Sequence, residues 1–288
     1  LKIIEIKKSD YLVYKKLIFG TAGIPLSTAE RNTLNGIERV HALGLGAMEL
    51  EFVHSVNLSE EKAKEVKIIA KKSEVELTCH GQYYINLNSL EDAKVKASVQ
   101  RILNAARIAN IAGAKSMVFH AAFYMKMEKE KVYGNVKREL KGIVKTLQNE
   151  DNKIWIRPEF MGKVTQFGDL EELIKLSEDV EQVLPCIDFA HYHARYNGKM
   201  NSYEKFAEVL EQIEKRLGKN ALHNMHIHTS GINYSEKGEK NHIPLQESDL
   251  KYEELIKAWK DFGIRGIVIS ESPLNEEDAL LMQKIYLK

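Results

Sequence analysis

Leu184-Pro185-Cys186-Ile187-Asp188-Phe189-Ala190-His191-Tyr192-His193 puts a carboxylate and two imidazoles where a buried strand should end. Val183, Pro185 and Ile187 alternate with Leu184, Cys186 and Asp188, so the run is apolar on both faces until Asp188. Strands of that kind belong to parallel sheets covered by helices. The charge at the strand's end has two readings. Either Asp188 caps the next helix and the histidines lie at the surface, or these residues begin a site. The choice depends on how the other strands end.

Working outward, the same unit recurs. Leu17-Ile18-Phe19 precedes a helix expected over about residues 28–43, and residues 47–53, with Glu49 and Glu51 on one face, precede a helix opening at Ser59. Residues 75–80 precede a helix from Ser89, where Ser89-Leu90-Glu91-Asp92 resembles a capping box. Residues 116–120 lead to a helix over about 128–148, and 153–159 to one opening at Asp169. The opening stretch leads to a helix at about 201–217. Residues 223–228 lead through a polar loop to one at about 249–261, and 264–271 to a last one at about 275–286. Eight strand-plus-helix units without a linker predict an α/β fold, a (β/α)₈ TIM barrel in a single domain over residues 16–288, after an N-terminal extension at 1–15.

Composition narrows the function classes. With 42 basic and 41 acidic residues there is no global basic field, so a nucleic-acid partner must be held by a local patch or by metal ions. No apolar run reaches the roughly 18 residues that span a bilayer, and the first twenty residues lack the plan of a signal peptide, so a cytoplasmic protein with no membrane partner is expected. Cys79 and Cys186 sit in strand-like runs and are read as buried thiols.

Loops after the strands of such a barrel form its active face. The ionisable residues at the strand ends are His80, His120, Glu159, Asp188, His226 and Glu271, separated by 40, 39, 29, 38 and 45 residues, each near one barrel unit. Imidazole and carboxylate without thiolate are the donor set of catalytic zinc, manganese or iron, and a carboxylate can bridge two ions. His193 and His228 lie near enough to serve as spare ligands or to support the ligands from behind, His54 and His223 are read as incidental, and Glu49 or Glu51 is expected to pair with Arg157 beneath the site.

The ordered set of strand ends resembles the endonuclease IV family of DNA repair enzymes, within the xylose-isomerase-like barrels. It comprises Cys79-His80-Gly81-Gln82-Tyr83-Tyr84-Ile85-Asn86-Leu87, Val118-Phe119-His120, Pro158-Glu159-Phe160-Met161-Gly162, Cys186-Ile187-Asp188-Phe189-Ala190-His191, Asn224-Met225-His226-Ile227 and Ile269-Ser270-Glu271-Ser272-Pro273. The resemblance implies two to three divalent ions, Zn²⁺ first and Mn²⁺ or Fe²⁺ as alternatives. His80, His120 and Glu159 would hold one, and Glu159, Asp188, His226 and Glu271 a second. His191 with Glu239 and His242 would hold a third, although Glu239-Lys240-Asn241-His242 departs from the family's Asp-x-His. It further implies an apurinic/apyrimidinic endonuclease acting as a monomer on double-stranded DNA. The enzyme would cleave 5′ to an abasic site to leave a 3′-hydroxyl, with Glu159 or Glu271 orienting the attacking water and Tyr83 and Tyr84 against the bases. The loop His54-Ser55-Val56-Asn57-Leu58 lacks the basic residue the family places in DNA, and Gly20-Thr21-Ala22-Gly23 replaces its His-Val-Ser run. The alternative is a sugar isomerase or epimerase of the same superfamily with one divalent metal; a metal-stabilised binding protein is a third class.

Overall fold

The structure, a computed structural model, describes residues 13–288. The N-terminal extension expected at 1–15 therefore lies almost wholly outside the described residues. Eight parallel strands form one sheet: β1 (Leu17–Ala22), β2 (Ala47–Glu51), β3 (Glu76–His80), β4 (Ser116–Phe119), β5 (Trp155–Pro158), β6 (Cys186–Asp188), β7 (Met225–Thr229) and β8 (Gly266–Ser270). Their spatial order is β5-β4-β3-β2-β1-β8-β7-β6, and parallel bridges from Ile156 to Val183 and from Glu159 to Cys186 join the two ends. The ring is thus a TIM barrel. The β5–β6 seam is its thinnest part: Ile156 and Phe160 donate across it to the carbonyls of Gln182 and Cys186, but Pro158 between them has no N–H to give to the ladder.

Helices α1 (Thr33–Ala42), α2 (Glu60–Lys72), α3 (Asp92–Ile111), α4 (Lys129–Asn149), α5 (Leu170–Asp179), the short α6 (Phe189–Arg195), α7 (Tyr203–Leu217), α8 (Tyr252–Asp261) and α9 (Glu276–Leu287) follow the strands. In α4 the buried residues Val132, Val136, Leu140, Ile143 and Leu147 recur at helical spacing and form the stripe that packs inward. A capping box starts α5, with Asp169 accepting from the Glu172 N–H and Glu172 from the Asp169 N–H. The box expected at Ser89 does not form. Ser89 Oγ instead accepts from the Glu91 N–H in a local turn, and α3 begins after Glu91, which makes no side-chain cap. None of the helices among the described residues is long and apolar enough to cross a membrane.

Two packing features carry the barrel to its active face. Phe189, next to Asp188, is fully buried with its ring 5.9 Å from Trp259 of α8 and 6.0 Å from Phe206 of α7, which anchors the end of β6. At the opposite end Arg157 donates to the carbonyls of Pro185 and Asn224 and to Asn224 Oδ1, at 2.7–2.9 Å, tying the starts of β6 and β7 to β5. The expected pair between Arg157 and Glu49 or Glu51 is therefore corrected: Arg157 sits at the foot of the barrel, and Glu49 faces His226 and His228 instead.

Candidate metal centre

Glu159, one residue past β5, is fully buried at the centre of the face. Its Oε2 lies 3.3 Å from His80 Nε2 and 3.1 Å from His120 Nε2, and its Oε1 3.3 Å from His228 Nδ1 and 3.4 Å from His191 Nδ1. One carboxylate thus touches two pairs of imidazoles, one pair per oxygen, which is the geometry of a bridge. His80 and His120 stand at the ends of β3 and β4, and the His80 Nδ1–H can donate to the Gly81 carbonyl at 2.8 Å, leaving Nε2 as the free donor atom.

His191 and His193 are buried rather than at the surface, but Asp188 caps the next helix, as the first sequence reading had it. Its Oδ1 accepts from the His191 N–H at 2.8 Å and caps α6, while its buried Oδ2 makes no aligned hydrogen bond and lies 3.1 Å from His191 Nδ1. Glu159, Asp188, His228 and Glu271 bring one donor atom each within 4.8 Å of one another, as do His80, His120 and Glu159, and also Asp188, His191 and His242.

His226, expected in the second group, is not in it. Strand β7 continues through Thr229, so the residue of the same parity one layer higher, His228, reaches Glu159 and Glu271, at 3.3 and 3.2 Å. His226 lies deeper, against Glu49 Oε2 at 3.1 Å and Ser116 Oγ at 2.8 Å. Both histidines alternate correctly. Only strand length chooses between them, and the second His of the His-x-His pair was the available signal. His193 is no spare ligand: fully buried, it bonds Asp249 Oδ1 at 2.8 Å.

The loop after β7 is an antiparallel hairpin, Gly231–Ser235 with Gly238–Ile243, and it resolves the odd spacing of Glu239 and His242. The register pairs Asn233 with Asn241 but Tyr234 with Glu239, so Lys240 is the extra residue of a bulge. With Lys240 outside the alternation, Glu239 and His242 turn to the same side. Glu239 Oε2 lies 3.1 Å from His191 Nε2, and the His242 ring is 5.5 Å from that of His191. Glu239 is also drawn to Lys163 at 3.3 Å, and it presses on Gly162, where any Cβ would clash with its carboxylate.

Electrostatics fit a cation. Burial pushes the Asp188 carboxyl up to about 6 and the Glu51 carboxyl up to about 8. Burial also opposes ionisation of Glu159, but the His120 and His228 imidazoles outweigh it and hold that carboxyl well below the usual range. Burial likewise lowers the pKa of His80, yet its contact with Glu159 prevails and raises it to about 10. Protons on imidazoles here balance carboxylates that a divalent ion would otherwise balance. The orphaned oxygens Asp188 Oδ2 and Glu239 Oε2 and the N,O donor set fit such an ion.

A cavity of about 690 Å³ opens above these groups, lined among others by Glu51, His80, Tyr83, His120, His191, Glu239, His242 and Glu271. Half-exposed Tyr83 stands 5.9 Å from His80 and 6.0 Å from His120, ring to ring, at its rim; Tyr84, more exposed, lies outside the lining. Glu51, the last residue of β2, and Arg31, in the loop before α1, also line the cavity and were not singled out as site residues from sequence: Glu51 was read as a partner of Arg157, and Arg31 stands at no strand end.

The family described as xylose isomerase-like TIM barrel matches residues 37–285. An uncharacterised protein of Methanocaldococcus jannaschii is 43% identical over 270 residues, covering 94% of this chain and 97% of the relative. A probable endonuclease 4 of Mycoplasma pneumoniae is 22% identical over 70% of each chain. Among solved structures, endonuclease IV from Thermus thermophilus superposes with a TM-score of 0.69 at 18% identity, over 93% of this chain and 97% of that one. A D-tagatose 3-epimerase-like protein does so with 0.70 at 22%, over the same shares. At these identities the two structures speak to fold alone.

Proposed function

The chain belongs to the xylose isomerase-like TIM barrel family, and from that premise we propose that it is a metal-dependent phosphodiesterase that cleaves DNA 5′ to an abasic site and leaves a 3′-hydroxyl. One observation carries the reading. The four donors Glu159, Asp188, His228 and Glu271 suffice for a single ion, yet His80 with His120 and His191 with His242 flank them as two further groups sharing Glu159 and Asp188. A one-ion enzyme has no use for those imidazoles. Relatives named probable endonuclease 4 support the same reading.

Two or three divalent ions, zinc first, with manganese or iron as alternatives, suit this donor set. His80, His120 and Glu159 would hold one; Glu159, Asp188, His228 and Glu271 a second; Asp188, His191 and His242, with Glu239 beside them, a third. Such ions supply charge neutralisation on the phosphate, a more acidic water and stabilisation of a departing oxygen. Orientation of the attacking water and acceptance of its proton fall to Glu271, whose side chain keeps 17% exposure to the cavity, whereas that of Glu159 keeps none. Tyr83 would stack on the base next to an extruded abasic nucleotide, whose extrusion costs least where no base is stacked. Tyr84 would flank the duplex further out.

A second reading, a ketose epimerase with one ion, follows from the completeness of the four-donor group by itself. The deciding experiment counts metals per chain and offers a duplex with one abasic analogue beside a panel of ketoses. Two or three ions and chelator-sensitive cleavage leaving a 3′-hydroxyl are expected; one ion with sugar turnover and no nicking would overturn the proposal.

A further inference from the structure

We propose that Tyr234, on the first strand of the hairpin after β7, is a positioning residue for the third metal group: its hydroxyl, which shares the carboxylate of Asp249 with His193, pins the bulged register that brings Glu239 and His242 to His191. The inference rests on the metal-centre part of the function proposed above and is independent of whether the substrate is DNA or a sugar.

The latch consists of aligned hydrogen bonds. Tyr234 Oη donates to Asp249 Oδ2 at 2.6 Å, and His193 Nε2, from α6, lies 2.8 Å from Asp249 Oδ1. Burial opposes ionisation of Asp249, but those two bonds outweigh it and hold the carboxyl below its usual range, so it accepts from both. Asp249 is itself a fixed point. Asn201, ahead of α7, donates to its carbonyl at 2.8 Å and accepts from the Lys251 N–H at 2.8 Å. The Tyr234 ring meets that of His193 edge-on at 5.0 Å, and its hydroxyl occupies the space a Cβ on Gly198 would need.

The register of the hairpin has one weak point, and the latch sits beside it. Ile232 packs on Ala190 and Ala194 of α6, Tyr234 on His193, and Glu239 and His242 face His191. The bulge at Lys240 allows this, since without an extra residue Glu239 and His242 would alternate to opposite sides. A bulge displaced past Glu239 would leave the hairpin paired yet turn that carboxylate away from His191. On its own strand Glu239 is held by long contacts, its N–H to the Gly162 carbonyl at 3.3 Å and its carboxylate to Lys163 at 3.3 Å. Tyr234 is the residue paired directly with Glu239. Fixed at 2.6 Å to a group outside the hairpin, it sets where the bulge falls.

The test reads one ion of the set and uses no substrate. The ion concerned is the one that His242→Ala weakens in chelator-buffered titrations. Tyr234→Phe, which keeps the ring and loses only the hydroxyl, should weaken that ion by about 10-fold, the low end of what loss of a group behind a ligand costs, and leave the others at wild-type affinity. Asp249→Ala, which removes the acceptor of both bonds, should weaken it at least as much. The double variant should lose no more than Asp249→Ala alone, because one latch is lost once. In metal-free protein, amide hydrogen exchange across residues 231–243 should quicken in both variants. Tyr203→Phe is the control: it removes a hydroxyl bond of the same kind, to Asp261 at 3.0 Å, between α7 and α8, and should leave every ion unchanged. Wild-type affinity for that ion in Tyr234→Phe, equal weakening of every ion, or the same loss in Tyr203→Phe would overturn the proposal, as would a His242→Ala variant that loses no ion. Should Asp249→Ala fail to fold, Tyr234→Phe and the exchange rates decide. Failure of the wild type to cut an abasic duplex would overturn the nuclease reading and leave this inference standing.

Discussion

Alanine at position 228 and alanine at position 226 should have opposite consequences for metal, although the two histidines lie two residues apart on one strand. Removing the His228 ring takes one of four donors from the group with Glu159, Asp188 and Glu271. Loss of an outer partner already costs about 10–100-fold in affinity, so loss of a direct donor should cost at least about 100-fold, or roughly 2.8 kcal/mol at 1.4 kcal/mol per decade. Removing the His226 ring takes away contacts to Glu49 and Ser116 but none to Glu159 or Glu271. That variant should keep the ion within a few-fold of wild type, while losing stability because Glu49 stays buried with one partner fewer. Elemental analysis after dialysis against a metal buffer reads the first effect, and thermal unfolding of the metal-free protein reads the second. If His226→Ala loses the ion and His228→Ala retains it, the placement of His228 at the rim of β7 is wrong.

Removing divalent ions with a chelator should abolish phosphodiester cleavage while far-UV circular dichroism persists, because the buried layers between strands and helices do not include the ligands; restored activity on adding zinc completes the check. Tyr83→Ala should weaken binding of an abasic duplex by about 1–3 kcal/mol, the usual worth of one base stacked on an aromatic ring, with metal content unchanged in elemental analysis. Tyr84→Ala, outside the cavity lining, should cost less in the same titration. Asp169→Ala removes half of the capping box of α5 and should cost about 1 kcal/mol, a fall in Tm of roughly 2–4 °C in a thermal melt, with no effect on metal.

The barrel was legible because its signal is repeated: eight strand-plus-helix units, six of whose strands end in an ionisable group, leave little room for another sheet. What stayed illegible depended on geometry shorter than a repeat. Strand length decides whether His226 or His228 reaches the rim, and alternation cannot, since both share a parity. The bulge at Lys240 is invisible as spacing, where Glu239 and His242 look one residue too far apart, but in the hairpin it restores their common side. Arg157 was expected to meet Glu49 or Glu51, yet it lies at the foot of the barrel, and Glu49 lies beneath its mouth against His226 and His228.

Asp188 shows how one side chain can cap a helix and still face a cluster of candidate ligands. A carboxylate has two oxygens, and here the cap uses one: Oδ1 accepts from the His191 N–H. That bond fixes the side chain's rotation and directs Oδ2 toward the groups around Glu159. It also sets the first turn of α6, which carries the His191 ring to within 3.1 Å of the same Oδ2. The helix cap is therefore part of how the candidate ligand is aimed. An Asp188→Asn variant, which can keep Oδ1 as an acceptor, should retain α6 and much of the stability yet weaken the ions beside it, whereas Asp188→Ala should lose both. Metal titration and thermal melts of the pair separate the two roles, and equal metal affinity in Asp188→Asn and wild type would leave Asp188 with the cap alone.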